Sequence, residues 1–436
     1  MLSLSLLYLA AGASAGTCNN IAGNYYCDQT SLVKFNNVGF NGEYNRVTSF
    51  NDDGTCSYSP QSFSGSLSPF DEELSVHFRG PIQLETFQVY TKGSNQKRQL
   101  QHRHADPEPA YAVVSQFFTT TVMAGAESPA ETSPAAAAPT TSSAPADTPS
   151  SEPSTTHGPY NYNFNHEDET SNTGPSVITT SPTTWSSSSS SSSSAPATTS
   201  SSGSGGSWSQ IANYDASSSS SDGLVFLNNL GGSGSGVWSA SFGNSLSYAG
   251  SDGVSCASSP QTLEHTTIGS NKEFAIFSDN KCEGDDCGYY RPGTVAHHGF
   301  GGSEKIFIFE FSMPSDGSSG FNADMPAVWL LNAQIPRNLQ YGDDSCSCWK
   351  SGCGELDLWE VLNGGNDRMI ATLHDKQNGG GGSSDYFQRP TSGTFKGAVV
   401  FDGTSITVLE IDEIPSSIDE GTVEKWVNKS GAQVSL

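Results

Sequence analysis

Short hydrophobic runs separated by turn residues recur along the later part of the chain. The runs at 305–311, 327–331 and 369–373 have the length of single strands and are rich in β-branched and aromatic residues. An Asp402-Gly403 pair separates two further runs, as in a tight hairpin. The sequence shows no long helical periodicity there. This pattern predicts an all-β sandwich over residues 207–436, a length that one antiparallel sandwich can reach.

An earlier part, residues 16–95, shows the same alternation on a smaller scale. Its strand-like runs at 47–50, 74–78 and 87–90 are separated by Gly, Asn and Asp. We therefore expect a small, glycine-rich N-terminal β domain. Because so short a segment buries only a small core, one disulfide would contribute much to its stability.

Residues 96–206 between these parts have a different composition. Ser, Thr, Pro and Ala dominate, and the segment includes an unbroken serine run at 186–194. Such a sequence contains too little apolar surface to offset the entropy of ordering, so we predict a disordered linker. Ser/Thr-rich sequence with Pro is typical of O-glycosylated stalks, and an unglycosylated linker is the alternative. Lys97-Arg98 is either a processing site or two ordinary surface charges.

The first residues indicate where the protein acts. A short apolar run leads into Ala13-Ser14-Ala15, which has the form of a signal-peptidase site, although the preceding residues include no Lys or Arg. We expect residues 1–15 to be a signal peptide, with a core strand as the alternative. Later runs are too short to span a bilayer, and the C-terminus lacks the tail of a lipid-anchor signal. The expected location is therefore secreted or cell-wall-associated, without a membrane anchor.

Charge narrows the class of partner. The chain has 45 acidic against 19 basic residues, a formal net charge of −26. General electrostatics therefore disfavours binding to nucleic acid or to an anionic membrane. A neutral polymer such as a polysaccharide fits better.

The nine cysteines agree with an oxidising compartment. Three lie early and six late. The late six can pair completely, in fifteen possible ways, whereas the early three leave one over, and we expect disulfides. Zinc is the competing interpretation for Cys346, Cys348 and Cys353, but the spacing is unusual for zinc and no His is near in sequence. We expect no metal and no cofactor. Asn428 begins a single glycosylation sequon.

The acidic stretch at 354–362 contains the candidate chemistry. Glu355 and Asp357 share one face of a strand, and a β-bulge near Leu358-Trp359 would return Glu360 to that face. Burying three repelling carboxylates is costly unless function requires it. A glycosidase needs one ionised carboxylate and one protonated carboxyl group. A solvated edge strand and a cation site are the alternatives.

Three motifs resemble glycoside hydrolase family 16, and they occur along the chain in the order found in that family. Glu355 to Glu360 resembles the E-x-D-x-x-E signature of that family. The stretch at 325–331 resembles its P-A-x-W-L-L strand, and 372–374 resembles its T-L-H strand. The resemblance implies a concanavalin-like jelly-roll β-sandwich. The insertion at 332–353, with three Cys, departs from the family pattern, as does Met325 in place of the usual Trp.

The whole layout resembles the fungal Tos-type cell-wall proteins, described as glycosyl hydrolases. Their N-terminal domain has a hallmark similar to residues 63–82, and a dibasic pair similar to Lys97-Arg98. The resemblance covers both folded parts and leaves the linker unmatched. It implies a wall protein with β-1,3-glucan as substrate, and we expect endo-cleavage by a monomer.

The resemblance also implies roles for individual residues. Glu355 is the nucleophile, Glu360 the acid/base, and Asp357 hydrogen-bonds Glu355 between them. Trp329 offers a ring face for a glucose unit, with a core Trp as the alternative. Further sugar contacts are expected from His374, Tyr341 and Trp349, each with a structural role as the alternative.

Three other functions remain open. A glucan transglycosylase uses the same covalent intermediate with a sugar as acceptor. A non-catalytic glucan-binding or structural wall glycoprotein can share the fold. A calcium-bound adhesion module would use Asp343-Asp344, or Glu283 with Asp285-Asp286, as oxygen ligands.

Overall fold

The computed structural model describes residues 18–92, 208–375 and 380–436. Within them, one sheet has ten strands and a second has eight. The ten strands are β6 (Leu74–Arg79), β10 (Leu224–Asn228), β13 (Ser247–Ala249), β14 (Cys256–Ala257), β15 (Glu273–Ser278), β17 (Ala327–Asn332), β18 (Glu355–Glu360), β19 (Arg368–His374), β20 (Gly381–Gly382) and β21 (Phe387–Gln388). The eight strands are β3 (Leu32–Asn36), β7 (Gln83–Lys92), β8 (Trp208–Asp215), β9 (Ser220–Asp222), β16 (Glu304–Ser312), β22 (Phe395–Asp402), β23 (Ser405–Glu410) and β24 (Ala432–Ser435).

Three hairpins and a few helical turns complete the described elements. The hairpins pair β1 (Asn19–Ile21) with β2 (Asn24–Tyr26), β4 (Gly42–Phe50) with β5 (Cys56–Phe63), and β11 (Trp238–Ser239) with β12 (Gly243–Asn244). The α-helices are Gln334–Asn338 and Glu420–Val427, and the 3-10 turns are Asp344–Cys346 and Cys348–Ser351. None of the helices described is long and apolar enough to cross a membrane.

The two large sheets pack face to face around one aromatic core. Phe78 of β6 lies 6.2 Å, between ring centroids, from Phe309 of β16 in the other sheet. Trp359 of β18 lies edge-on to the same Phe309 at 5.3 Å. These inward-facing residues alternate with residues on the outer faces of their strands, as in a sandwich. The predicted all-β sandwich is confirmed.

The N-terminal strands lie inside both sheets. The ten-stranded sheet runs β14-β13-β10-β15-β6-β17-β18-β19-β20, with β21 paired to β19, and the eight-stranded sheet runs β24-β3-β23-β22-β16-β7-β8-β9. β6 and β7 therefore each lie between two strands from the later part of the chain. The division into a small domain at 16–95 and a sandwich at 207–436 is corrected by this topology. The physical reason is that β6 is buried along nearly its whole length and needs a neighbour on each edge.

The connection between the two parts joins neighbouring strands. Lys92 of β7 is paired with Trp208 of β8 in antiparallel register. The last described residue before the gap and the first after it are thus paired on neighbouring strands of one sheet. The predicted signal peptide at 1–15, the Lys97-Arg98 pair and the whole linker predicted at 96–206 lie outside the described residues.

Four disulfides are present in the described part. They join Cys18 to Cys27, Cys56 to Cys346, Cys282 to Cys287 and Cys348 to Cys353, while Cys256 is a free thiol. The expectation of disulfides is confirmed, but the six late cysteines do not pair completely among themselves. Because the early hairpin packs on the late insertion, Cys56 pairs across a sequence separation of 290.

Candidate active site

A β-bulge in β18 brings three carboxylates to one face. Trp329 of β17 is paired with Asp357, but the preceding Val328 is paired with Trp359, so Leu358 has no counterpart on β17. Leu358 and Trp359 are both fully buried in the core between the sheets. The extra residue therefore returns Glu360 to the outer face that Glu355 and Asp357 share. The bulge predicted near Leu358-Trp359 is confirmed.

Asp357 forms an ion pair with His374 on the neighbouring strand. The Nε2 atom of His374 lies 3.0 Å from Oδ2 of Asp357. Burial raises the pKa of Asp357, the charge of Glu360 raises it further, and His374 opposes both. Burial acts to lower the pKa of His374, but the hydrogen bond and the nearby carboxylates raise it to about 9. The site thus holds an imidazolium beside its central carboxylate at neutral pH.

Glu360 forms an ion pair with Arg79, a residue of the N-terminal strand β6. Nη2 of Arg79 lies 3.0 Å from Oε1 of Glu360, and its Nε–H donates to the carbonyl of Met325 at 2.8 Å. Burial acts to lower the pKa of Arg79, while Glu360 and Glu273 raise it above its ordinary value. Arg79 lay within the hallmark at 63–82 but was not predicted as a site residue, because only the pairing of β6 with β17 places it here.

Glu355 is contacted from the insertion that precedes it. The Nε1–H of Trp349 donates to Oε2 of Glu355 at 2.5 Å. Trp349 is half-buried and lies on the turn Cys348–Ser351. The structure therefore places this predicted sugar contact directly against the predicted nucleophile.

Trp329 lies under a cover of other side chains. It is 6% exposed, and its ring stacks on His77 with centroids 5.3 Å apart. Its outer side belongs to an apolar cluster with Tyr44 and Phe63 of the β4–β5 hairpin. This burial argues for the alternative, a packed Trp, over an open ring face for glucose. Burial also lowers the pKa of His77 to about 3, so His77 is neutral.

Tyr341 lies one strand further from the carboxylates. Its hydroxyl donates to Glu273 of β15, which is the pairing partner of Arg79. Tyr341 therefore belongs to the charged network behind Glu360. His374, by contrast, lies directly among the three carboxylates and is one-third exposed.

The acids considered for calcium make other contacts. Oδ1 of Asp343 accepts from the backbone N–H of Ser345, and Asp344 pairs with Lys350. Asp286 lies beside His298 and the cysteines Cys282 and Cys287, but the two sulfurs form a disulfide. These contacts give the calcium interpretation no support.

The fold and the site define a class of protein: a β-sandwich that carries three carboxylates on the outer face of one sheet. The chain belongs to the family of cell wall proteins YJL171C/Tos1. The N-terminal part of the family matches residues 31–92 and the C-terminal part matches residues 206–426. The Tos-type resemblance seen in the sequence is thereby confirmed.

Close relatives align along nearly their whole length. The probable circularly permuted 1,3-beta-glucanase TOS1 of Candida albicans is 46% identical, covering 98% of this chain and 97% of the relative. Its Saccharomyces cerevisiae namesake is 46% identical over 96% of this chain and 94% of the relative. A probable circularly permuted 1,3-beta-glucanase of Schizosaccharomyces pombe is 41% identical over 99% and 98%. No solved structure matches the chain.

Proposed function

We propose that this protein is a secreted cell-wall glycoside hydrolase that cleaves β-1,3-glucan within the chain by a retaining mechanism. The observation that carries the proposal is the bulge at Leu358, which gathers Glu355, Asp357 and Glu360 on one outer face. The relatives are named probable 1,3-beta-glucanases, and this supports β-1,3-glucan as the substrate. We expect the protein to act as a monomer, and the two-carboxylate chemistry proposed here needs no cofactor or metal.

Two carboxyl groups perform the chemistry. The carboxylate of Glu355 attacks C1 of the sugar as the bond to the leaving oxygen breaks, and Glu360 gives its proton to that oxygen. In the second step Glu360 takes a proton from water, the water oxygen bonds to C1, and the bond from Glu355 to the sugar breaks. The Arg79 contact at Oε1 of Glu360 fixes the carboxyl group, so that the transferred proton sits on Oε2.

The Asp357–His374 pair completes the electrostatics. Asp357 lies between Glu355 and Glu360 in sequence and on the same face, where its negative charge would repel that of Glu355. The imidazolium of His374 offsets that charge at 3.0 Å. The Asp357–His374 pair therefore adds little net charge to the face on which Glu355 must stay ionised for attack.

Product analysis tests the proposal and separates its alternatives. Purified protein is incubated with a reduced β-1,3-glucan oligosaccharide, beside the Glu355→Gln variant. Shorter products from internal bonds, lost in the variant, are expected. Longer products would instead indicate a transglycosylase. Unchanged oligosaccharide with retained glucan binding would contradict the enzyme and support a wall-binding glycoprotein.

A further inference from the structure

We propose that Trp349 is a positioning residue whose indole N–H holds the carboxylate of Glu355 for attack, rather than a wall for the sugar. The inference rests on the proposed function, in which Glu355 is the nucleophile. It assigns a role in the site to the cysteine-bearing insertion at 332–353. The contact that carries it is the 2.5 Å hydrogen bond from Nε1 to Oε2.

The backbone on the acceptor side leaves little freedom. Glu355 opens β18 directly after Gly354, whose φ of 101° is one that L side chains rarely adopt. A Cβ at Gly354 would lie 3.0 Å from the ring of Phe70. The backbone at the start of β18 therefore has little conformational freedom, and its first side chain, Glu355, contacts the indole of Trp349.

The donor side is fixed by two disulfides within three residues. Cys346 is bonded to Cys56 of the β4–β5 hairpin, and Cys348 is bonded to Cys353, just before Gly354. All of these late cysteines are fully buried. Ser347 between them caps the turn by accepting from the backbone N–H of Trp349 at 3.3 Å.

The N-terminal hairpin adds a second attachment to this turn. The backbone N–H of Asn45 on β4 donates to Oγ of Ser351 at 2.9 Å, and that hydroxyl donates to the carbonyl of Cys348 at 3.0 Å. Trp349 is thus held from both sides of its own turn. Pre-organisation of this kind strengthens a hydrogen bond, because the side chain loses little conformational entropy when the bond forms.

The chemistry of the donor suits the proposed role. An indole N–H donates and cannot accept, and it stays protonated at every working pH. A hydrogen bond to the charged form of a carboxylate favours ionisation and restrains rotation of the group. A nucleophile needs both, and a sugar wall needs neither, because stacking uses the ring face.

A substitution that removes the N–H but keeps an aromatic ring separates the two roles. Trp349→Phe keeps an aromatic ring and removes the N–H, and Trp238→Phe is the matched control at an exposed Trp outside the site. We expect Trp349→Phe to lower kcat roughly ten- to hundredfold with KM little changed. The acidic limb of its kcat/KM profile should move to higher pH, and the control should match wild type. An unchanged kcat and pH profile in an active, folded variant would overturn the inference.

A second measurement does not depend on turnover. The indole N–H resonance of Trp349, identified by its loss in Trp349→Phe, should shift as acid protonates Glu355, and Glu355→Gln should abolish the shift. If the chemical shift of this resonance does not change as Glu355 is protonated, the inference is contradicted even if the protein cleaves glucan. Conversely, a wild-type protein that cleaves no glucan but shows this coupling would refute the proposed function alone.

Discussion

His374 and Asp357 show how single residues set the charge of the site. Neither His374 nor its partner is strongly exposed, yet both carry ionised forms because each offsets the other. The pKa of His374 in the folded protein is about 9, above the ordinary value of 6.5. The stabilisation from this charge is complete below about pH 6.5 and is lost as pH rises through about 9.

Replacing His374 should therefore flatten the alkaline side of the stability curve. We expect the free energy of unfolding of wild type to fall between pH 6.5 and 9 by more than that of His374→Gln. Urea unfolding at several pH values measures this. Parallel curves for the two proteins in that range would contradict the assigned charge pair.

Lys305 is a fully buried cation that serves the fold. Its Nζ donates to the carbonyls of Phe70, Glu72 and Phe300 at 3.0 to 3.1 Å, and burial lowers its pKa to about 7. The bonds to Phe70 and Glu72 tie the N-terminal segment to β16 of the later part. A buried carbonyl without a donor costs roughly 1–3 kcal/mol.

Lys305→Met should destabilise the protein by about 3 kcal/mol, because the carbonyls of Phe70 and Glu72 lose this donor and that of Phe300 keeps only the N–H of Leu74. Chemical denaturation gives the value. Lys396→Met is a matched control, since Lys396 forms a half-exposed surface pair with Glu310. Equal stability of the two variants would refute the role of Lys305.

At the scale of elements, the β4–β5 hairpin and the insertion at 332–353 form one cover beside the carboxylates. The Cys56–Cys346 disulfide spans a sequence separation of 290, whereas Cys282–Cys287 spans 5. Cross-linking a long loop removes more entropy from the unfolded chain than cross-linking a short one.

Replacing both cysteines of Cys56–Cys346 by Ser should cost about 2–4 kcal/mol, and replacing Cys282 and Cys287 should cost less. Thermal unfolding of the two double variants under the same conditions measures the difference. The reverse order of stability would contradict the structural role of the long-range bond.

Local sequence patterns predicted local features such as turns and the bulge. The order of the strands in the two sheets could be read only from the structure. The Asp402-Gly403 turn and the bulge at Leu358 follow from spacing and turn chemistry. Insertion of β6 between β15 and β17 does not, because pairing between distant segments leaves no periodic signal in the sequence. The same reason explains why Arg79 and the Cys56–Cys346 bond were missed.

At the scale of the whole molecule, the two parts of the chain make one sandwich. β6 and β7 supply central strands, and the pairs between Glu73 and Arg337 and between Glu73 and His298 bind the parts together. Neither sheet is continuous without residues 18–92. The carboxylates come from the later part, and the arginine beside Glu360 comes from the earlier one.

Residues 208–436 alone should therefore lack a cooperative unfolding transition. Co-expression with residues 18–92 as a separate chain should restore it, because the missing strands can pair in place. Circular dichroism melts of the two preparations decide the matter. A cooperative melt of 208–436 alone, at the temperature of the full chain, would contradict the interleaved fold.

Azide rescue tests the roles of Glu355 and Glu360 most directly. The substrate is a β-1,3-linked glucose disaccharide joined in β-linkage to an activated leaving group. In Glu355→Ala, azide should attack C1 in place of the missing nucleophile and yield the α-glycosyl azide. In Glu360→Ala, azide should attack the covalent intermediate and yield the β-glycosyl azide. These opposite anomers, read by proton NMR, are the result predicted here. The same anomer from both variants, or no rescue of either while wild type turns over, would contradict the assignment.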